Sequence, residues 1–529
     1  MADFNERESR KKEVVAIIGA GISGLLACKY CLSKGFDPIV FESESSIGGV
    51  WTKTIGSTKL QTPKPFYQFS DFPWPNSVTE MFPDHQTVLE YIESYARHFD
   101  LVRCIQFNSK VLSLSYEDGK LSGDNWNVVW GEVFNTNSKG KWNINVQDTP
   151  TLSTQVYQVD FVIVCVGRFS QVPNIPEFPP KKGAEAFEGQ VIHSMEYSNM
   201  DPETAANFVK GKHVAIVGFQ KSGMDIAMEC STINAGTERP CTVVIRTPHW
   251  NLPDFFPWGL NLGYLYLTRF SELTVHKPGE GLALSLLATT LSPLRWALSK
   301  FVEIYIRRKH RLAKHGMVPD HSFLNEFSSC SLSIVPEGFY DRVEEGSIKL
   351  VKRAESVGFS KEGMMLKGQA EPLKSDLVIL STGFKGIDKL KHIFESKKYQ
   401  DFIAGLDDSA AVPLYRECIH PRIPQLAIIG FSESITNLYT SEIRCRWLAE
   451  LLDGKFKVPS IKVMEKDIAE WDKYKRRYSY NKYYRNSCIA ALHVWHNDQL
   501  CKDMGWNPKR KKGFWDEWFQ PYGPMDYRG

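Results

Sequence analysis

Three stretches of the chain combine residue types and spacings that could do chemistry. Gly19-Ala20-Gly21-Ile22-Ser23-Gly24 reads GxGxxG, directly after the apolar run 14–18 and opening a helical pattern. Strand, glycine loop and helix in that order make a dinucleotide cradle. Gly19 permits the tight turn, Gly21 removes the side chain that would bar a pyrophosphate, and Gly24 lets helix and strand pack closely. The helix start supplies amide donors and positive potential. Glu42 ends the next strand, where a carboxylate can accept both ribose hydroxyls. Gly48, Gly49, Val50 and Trp51 follow, which is backbone able to approach a ligand closely with an aromatic ring to cover it. A cradle with a ribose carboxylate suits FAD.

A related unit returns at Gly218-Phe219-Gln220-Lys221-Ser222-Gly223, but Gln220 stands where the middle glycine belongs. A side chain there crowds a pyrophosphate. Either the nucleotide sits slightly off, or Gln220 turns away and donates a hydrogen bond elsewhere. The strand after this helix ends in Arg246-Thr247, not in a carboxylate. A guanidinium can grip a 2′-phosphate that an acidic residue would reject. Such a charge-assisted bond is worth roughly 1.5–3 kcal/mol, so the second site reads as one for NADPH over NADH.

The third stretch, FEGQVIHSMEY from Phe187 to Tyr197, lies between the two cradles. It reads as a connector between two nucleotide domains. Phe187 and Tyr197 anchor its ends, Gly189 gives the turn, and His193 either hydrogen-bonds near the nicotinamide or serves structure alone. A chain holding both nucleotides can pass a hydride from NADPH to the flavin. A disulfide reductase would carry its redox cysteine where Trp51 stands, yet no cysteine follows until Cys104. No haem or iron–sulfur ligand spacing appears, and no metal site is assigned. What remains is oxygen activation through a flavin hydroperoxide kept from water. No nucleophile–His–Asp set is needed for that, and none is found.

These loops need parallel strands behind them. DFVIVCVGR, SDLVILSTGF and PQLAIIGF are further short apolar runs of the kind a parallel sheet buries on both faces. The fold class is therefore α/β, with two Rossmann-like dinucleotide-binding domains, the NADPH domain inserted into the FAD domain, and a helical C-terminal extension. The expected division is 1–171 for the first part of the FAD domain, 172–330 for the inserted NADPH domain, and 331–529 for the rest. The proline-rich QVPNIPEFPP is the entry hinge. The Tyr- and Trp-rich C-terminal third is expected to cover the first domain.

The bulk numbers agree with a large globular enzyme. The chain has 529 residues, 43% hydrophobic and 24% charged, which gives ample core for more than one domain. A formal net charge of +3 leaves no field for nucleic acid. Eleven cysteines, odd in number and dispersed, read as reduced thiols in a cytosol-like compartment; the CKYC at Cys28 to Cys31 reads as buried thiols. The charged first thirteen residues carry no secretory signal and read as disordered. LALSLLATTLSPLRWALSKF is broken by Pro293, Arg295 and Lys300 and is too short to span a bilayer. It reads as a buried helix pair, with contact at a membrane surface as the other reading. A cytoplasmic protein follows, with room for peripheral attachment at the endoplasmic reticulum; oligomeric state is not legible.

Phe187, Gly189, His193 and Tyr197 fit FxGxxxHxxx[FY], and in this the chain resembles the flavin-containing monooxygenases, which are class B flavoprotein monooxygenases. Ser198 stands where many members carry a basic residue. The related Baeyer–Villiger enzymes have Trp at the place of Tyr197, a difference that favours heteroatom oxygenation over ketone insertion. LSTGF resembles the family's strand returning from the inserted domain, which implies Thr382 and Gly383 beside a cofactor. YQFSDFPWP resembles the loop behind the flavin, and SEIRCRWLAELL the helix near it. Many members hold an Asn over the flavin; counting back from FSDFPWP places Gln61 there, with Thr62 and Lys64 close enough to share its task. Details such as VPLYRECIHP resemble the plant branch whose members N-hydroxylate pipecolic acid in systemic immunity or oxygenate thioether sulfur or auxin-precursor substrates. The resemblance implies an amine or sulfide substrate together with dioxygen.

Overall fold

The computed structural model describes residues 13–117, 140–234, 238–352, 354–405, 412–479 and 488–528. The charged N-terminal stretch thus lies outside the described residues, apart from Glu13. Two five-stranded parallel sheets organise the chain. The first is built from β1 (Val14–Ile18), β2 (Asp37–Phe41), β3 (Ile105–Gln106), β4 (Phe161–Val164) and β10 (Leu426–Ile428), in the order β10-β4-β1-β2-β3. The second comprises β5 (Gln190–His193), β6 (Val214–Val217), β7 (Cys241–Ile245), β8 (Ile348–Lys352) and β9 (Leu377–Leu380), in the order β8-β7-β6-β9-β5.

Central β1 is apolar throughout because both its faces are covered. Val15 and Ile17 pack with α1 (Ile22–Ser33), while Ala16 and Ile18 face the buried Trp142 and Ile144 of a small antiparallel sheet. The second sheet repeats the arrangement. Ile216 and Val243 face one core, and Ala215 and Val244 face Phe359 and Met364 on the other side.

The second sheet lies between strands of the first in the chain, so one nucleotide domain is inserted in the other. Its extent differs from the sequence division at 330: β8 and β9 belong to the second sheet and lie beyond that residue. LVIL pairs with β5 and β6, so the run read as a return to the first domain is an inner strand of the second. The return comes after Phe384, which forms a bridge with Pro173 of the entry hinge.

The C-terminal region is helical but covers more than the first domain. α6 (Asn437–Leu452) packs on α1, and its Trp447 is fully buried. Trp471, Tyr474, Tyr478 and 488–492 instead join the second core.

Two further expectations are corrected. Cys330 and Cys488, 158 residues apart, form a disulfide with a Cα–Cα distance of 6.0 Å. Nothing in their local sequence pairs them; the fold brings them together. Cys28 and Cys31 remain free and buried on α1, and burial pushes the Cys31 thiol up to about 12. The apolar helix pair is not wholly buried either, although Val302 and Ile306 of its second helix join the second core. In α3 (Leu282–Thr290) only Ala288 is buried, and Leu282 is 78% exposed. In α4 (Ser292–Lys309) Trp296 is 64% exposed. Leucine content alone could not tell an inward face from an outward one. No helix of the described residues is long and apolar enough to cross a membrane.

Candidate active site

The first cradle is a cleft lined by backbone. Gly19 has φ 102°, where an L side chain is strained, and a Cβ on it would come 2.7 Å from the Cys165 carbonyl oxygen. A Cβ on Gly24 would lie 1.8 Å from the Gly19 oxygen, so helix and strand touch there. Gly21 faces Gly49 across the cleft. A Cβ on Gly21 would meet the Gly49 backbone, its Cα at 3.5 Å and its N at 3.9 Å, and one on Gly49 (φ 60°) would lie 3.1 Å from the Gly21 Cα. Two bare backbones held face to face are what a pyrophosphate requires. Glu42, 8% exposed, reaches back into this loop, accepting from the Ala20 N–H at 2.6 Å and the Glu44 N–H at 3.0 Å. Ile22 and Ser23 form the first turn of α1. Gly430, after β10, lies so close to Ser23 that a Cβ on it would be 2.2 Å from the hydroxyl.

Trp51 donates from Nε1 to the Tyr67 hydroxyl at 3.0 Å, which fixes the ring beside the cleft, while Val50 is exposed. The loop after it, Ser70 to Trp74, is held to α6. Ser70 donates to both carboxylate oxygens of Glu442, and Arg446 donates to Ser70 Oγ at 2.7 Å.

The second cradle repeats the tight turn. Gly218 has φ 119°, and a Cβ on Gly223 would lie 2.4 Å from the Gly218 oxygen. Phe219 is buried, with its ring 5.7 Å from Phe339. Gln220 caps the start of α2 (Lys221–Ile233) in an extended conformation, and its side chain turns to Ser333, whose hydroxyl donates to Oε1 at 2.9 Å. Its oxygen thus accepts a bond where donation was expected. Lys221 pairs with Asp225, and Ser222 is exposed in the first turn. Arg246 and Thr247 follow β7 immediately, with Arg246 exposed.

The two cradles are tied into one frame. Thr58 Oγ1 donates to Asp225 Oδ2 at 2.7 Å, and the Ser57 N–H donates to Glu229 at 3.0 Å. The other Glu229 oxygen takes the Tyr197 hydroxyl at 2.8 Å. A segment of the first site thereby rests on the helix that opens the second.

The flavin-binding monooxygenase-like family model matches residues 11–512. The chain belongs to that family. It is 39% identical over 522 residues to probable flavin-containing monooxygenase 1 of Arabidopsis thaliana, a match spanning 97% of this chain and 96% of that one. Its fold is similar to that of a steroid monooxygenase crystallised with NADP, at TM-score 0.62, 18% identity and coverage of 94% and 99% of the two chains. It is also similar in fold to S-allyl-L-cysteine S-oxygenase from Allium sativum, at TM-score 0.55, 17% identity and coverage of 94% and 89%. As a member of the family the protein is an NADPH-dependent flavin monooxygenase with FAD and NADPH as cofactors. The Gly21–Gly49 cleft and the recessed Glu42 carboxylate fit the first of these, and the Gly218 turn above Arg246 fits the second.

The remaining sequence candidates take definite places in this monooxygenase. Gln61 is exposed, and its Oε1 accepts from the Ile334 N–H at 3.2 Å, which directs its NH2 elsewhere. Thr62 donates to the Ile435 carbonyl at 2.9 Å, and Lys64 Nζ is bound to the Val78 carbonyl. Both bonds help to fix the shape of the loop that carries Gln61. His193 is a helix cap. Its Nδ1 accepts from the Met195 N–H at 3.1 Å while its own N–H donates to Glu196. Burial lowers its pKa, against the raising effect of a hydrogen bond with the Gly383 backbone. Gly189 lies in the bend just before β5. It is needed for closeness, since a Cβ would come 2.3 Å from the Phe187 ring and 2.5 Å from the Asp376 oxygen. Thr382 and Gly383 lock the hinge: Thr382 Oγ1 donates to the Asn174 carbonyl at 2.5 Å, and the Asn174 N–H donates to Gly383 at 2.8 Å.

Sequence reasoning passed over two groups. Lys389, half-buried and bonded to Ser170 at 2.7 Å, is brought down to about 8 by desolvation against the opposing pull of Glu42. Glu326 is a buried carboxylate that accepts from His249 at 2.8 Å, from His321 at 2.5 Å and from the Trp250 N–H at 3.0 Å. Burial works against its charge, but the two histidines prevail and hold it at about 2. This triad braces the loop just after Arg246 and Thr247. Neither group lies in a motif.

Proposed function

We propose that this chain oxygenates a soft nucleophile, an amine nitrogen or a sulfide sulfur, and that pipecolic acid is a candidate amine. The observation that supports this most directly is the single frame formed by Thr58–Asp225 and Ser57–Glu229, which holds the two nucleotide cradles in fixed relation. Bound FAD, once reduced by NADPH, supplies the activation of dioxygen. The protein's own part is binding, orientation and exclusion of water. Glu42 holds a ribose, Arg246 the 2′-phosphate, Trp51 and the Ser70 loop cover one side, and Gln61 presents its NH2 as a donor. Tyr197 buried against Glu229, at the position where ketone-inserting relatives carry Trp, supports heteroatom over carbonyl chemistry. The test is NADPH oxidation with candidate amines, sulfides and cyclic ketones, followed by mass detection of product. We expect amine- or sulfide-stimulated turnover and a product heavier by one oxygen atom. Yellow protein that consumes no NADPH with any of them would favour a non-catalytic flavin scaffold, and lactone from the ketone arm would favour ring insertion.

We propose also that α3 and α4 rest on an anionic membrane surface from the cytoplasmic side, as at the endoplasmic reticulum. Leu282, Leu286, Trp296 and Ile304 are each exposed. Exposed Arg307, Arg308 and Lys309 lie at the end of α4, an apolar face with a basic rim. Vesicles containing phosphatidylserine should sediment the protein, and Leu282→Glu with Trp296→Glu should abolish this. Equal sedimentation of the variant would rule this face out.

A further inference from the structure

Gln220, which stands at a glycine's place in the second cradle, and Gln61, which stands at an asparagine's place in many family members, are held by one short segment. Ser333 Oγ donates to Gln220, and the next N–H, from Ile334, donates to Gln61. The segment is a taut strap. Leu252 N–H donates to the Ser333 carbonyl and Val335 N–H to the Leu252 carbonyl, both at 2.8 Å, and Cys330 at its start has φ 48°. A second support runs from the same loop in the opposite direction. Thr62, adjacent to Gln61, is bonded to the Ile435 carbonyl. Two residues earlier, Glu433 forms a parallel bridge with Cys488 and accepts the Ile489 N–H at 3.0 Å. The Cys330–Cys488 bond therefore closes a ring from Gln61 through Ser333, across the disulfide and back through Ile435 and Thr62.

We propose that residues 330–334 are the element that sets the separation of Gln61 and Gln220, with Ser333 as a positioning residue, and that the Cys330–Cys488 bond is its redox-responsive fastening. This rests on the NADPH-dependent oxygenase reading. With the bond closed, both amides are fixed relative to the frame that holds the nicotinamide nucleotide. With it open, the strap keeps its hydrogen bonds but loses its anchor to the C-terminal region, and a left-handed Cys330 is free to relax. NADP⁺ is then held less well, and more of the activated oxygen is lost as hydrogen peroxide. Hydrogen peroxide is itself a competent oxidant for closing the bond. It accepts the electron pair and both thiol protons, one S–S bond forms, its O–O bond breaks, and two waters leave. A dithiol reverses this by exchange, entering at the partly exposed Cys330, since Cys488 is 2% exposed.

The experiment uses the full flavin-loaded chain. Cys330 and Cys488 are mapped by differential alkylation and mass spectrometry after dithiothreitol and after hydrogen peroxide. NADP⁺ affinity, and the fraction of NADPH electrons recovered as peroxide, are then measured in each state. Reduction should weaken NADP⁺ binding several-fold and raise the peroxide fraction. The double variant Cys330→Ser, Cys488→Ser should match the reduced protein and ignore dithiothreitol. Ser333→Ala should weaken NADP⁺ binding with flavin content unchanged, and Ser333→Thr should restore it. Both thiols still open to alkylation after peroxide would overturn the proposal. So would equal NADP⁺ affinity and equal peroxide fraction in the two states. Protein that oxidises no NADPH in either state counts against the oxygenase reading, while the alkylation map and the NADP⁺ titration still decide the fastening.

Discussion

Gly21→Ala should give a folded protein that carries no flavin. The methyl would stand 3.5 Å from the Gly49 Cα, an ordinary contact, so the ligand-free chain accommodates it. The cleft does not survive, because the methyl fills one of the two bare backbones that face each other there. The expected result is loss of the yellow band with a melting transition close to that of the wild-type protein stripped of flavin. Gly24→Ala, three residues on, should fail differently. Its Cβ would lie 1.8 Å from the Gly19 oxygen, with no side chain able to give way. Overpacking of a tight contact costs about 1–3 kcal/mol and sometimes more, against a total stability of roughly 5–15 kcal/mol. That variant should express poorly and melt early whether or not flavin is supplied. Absorbance and circular dichroism on both variants separate the two roles. A Gly21→Ala protein with full flavin occupancy would remove the pyrophosphate argument.

The contrast shows which parts of the molecule could be read in one dimension. Glycine loops are local, since each glycine's neighbours are a strand and a helix adjoining in sequence, so 19–24 and 218–223 were legible together with Glu42 and the α/β class. Long-range pairing was not. LVIL at 377–380 is equally apolar whichever sheet it joins, and only its register with β5 and β6 assigns it to the second. Cys330 and Cys488 gave no signal across 158 residues. His193 stood out in a motif, but an imidazole that caps a helix and one that meets a cofactor have the same spacing, and only the fold reveals the bond from the Met195 N–H to its Nδ1. Gln220 was legible as a misfit, though its answer, Ser333, lies in a segment no pattern singled out. The helix pair at 282–309 failed for a related reason. Period and composition fix a helix, while whether its leucines face a core depends on what the rest of the chain leaves uncovered.

Arg246→Ala should separate the two nicotinamide nucleotides. Arg246 follows β7 as Glu42 follows β2, so the two domains place opposite charges at equivalent positions. A guanidinium bonded to phosphate contributes about 1.5–3 kcal/mol, and an exposed one falls toward the lower end because water and salt compete. We expect the KM for NADPH to rise at least tenfold while that for NADH stays within a factor of about two, with kcat at saturation little changed, since the 2′-phosphate is remote from the hydride. Arg246→Lys should retain part of the effect, keeping the charge but not the planar fork. The preference for NADPH in the wild-type protein should also decline with ionic strength, and in the alanine variant that dependence should flatten. Equal weakening for both nucleotides would mean that Arg246 supports the loop braced by His249, Glu326 and His321. The specificity would then have to come from elsewhere in that loop.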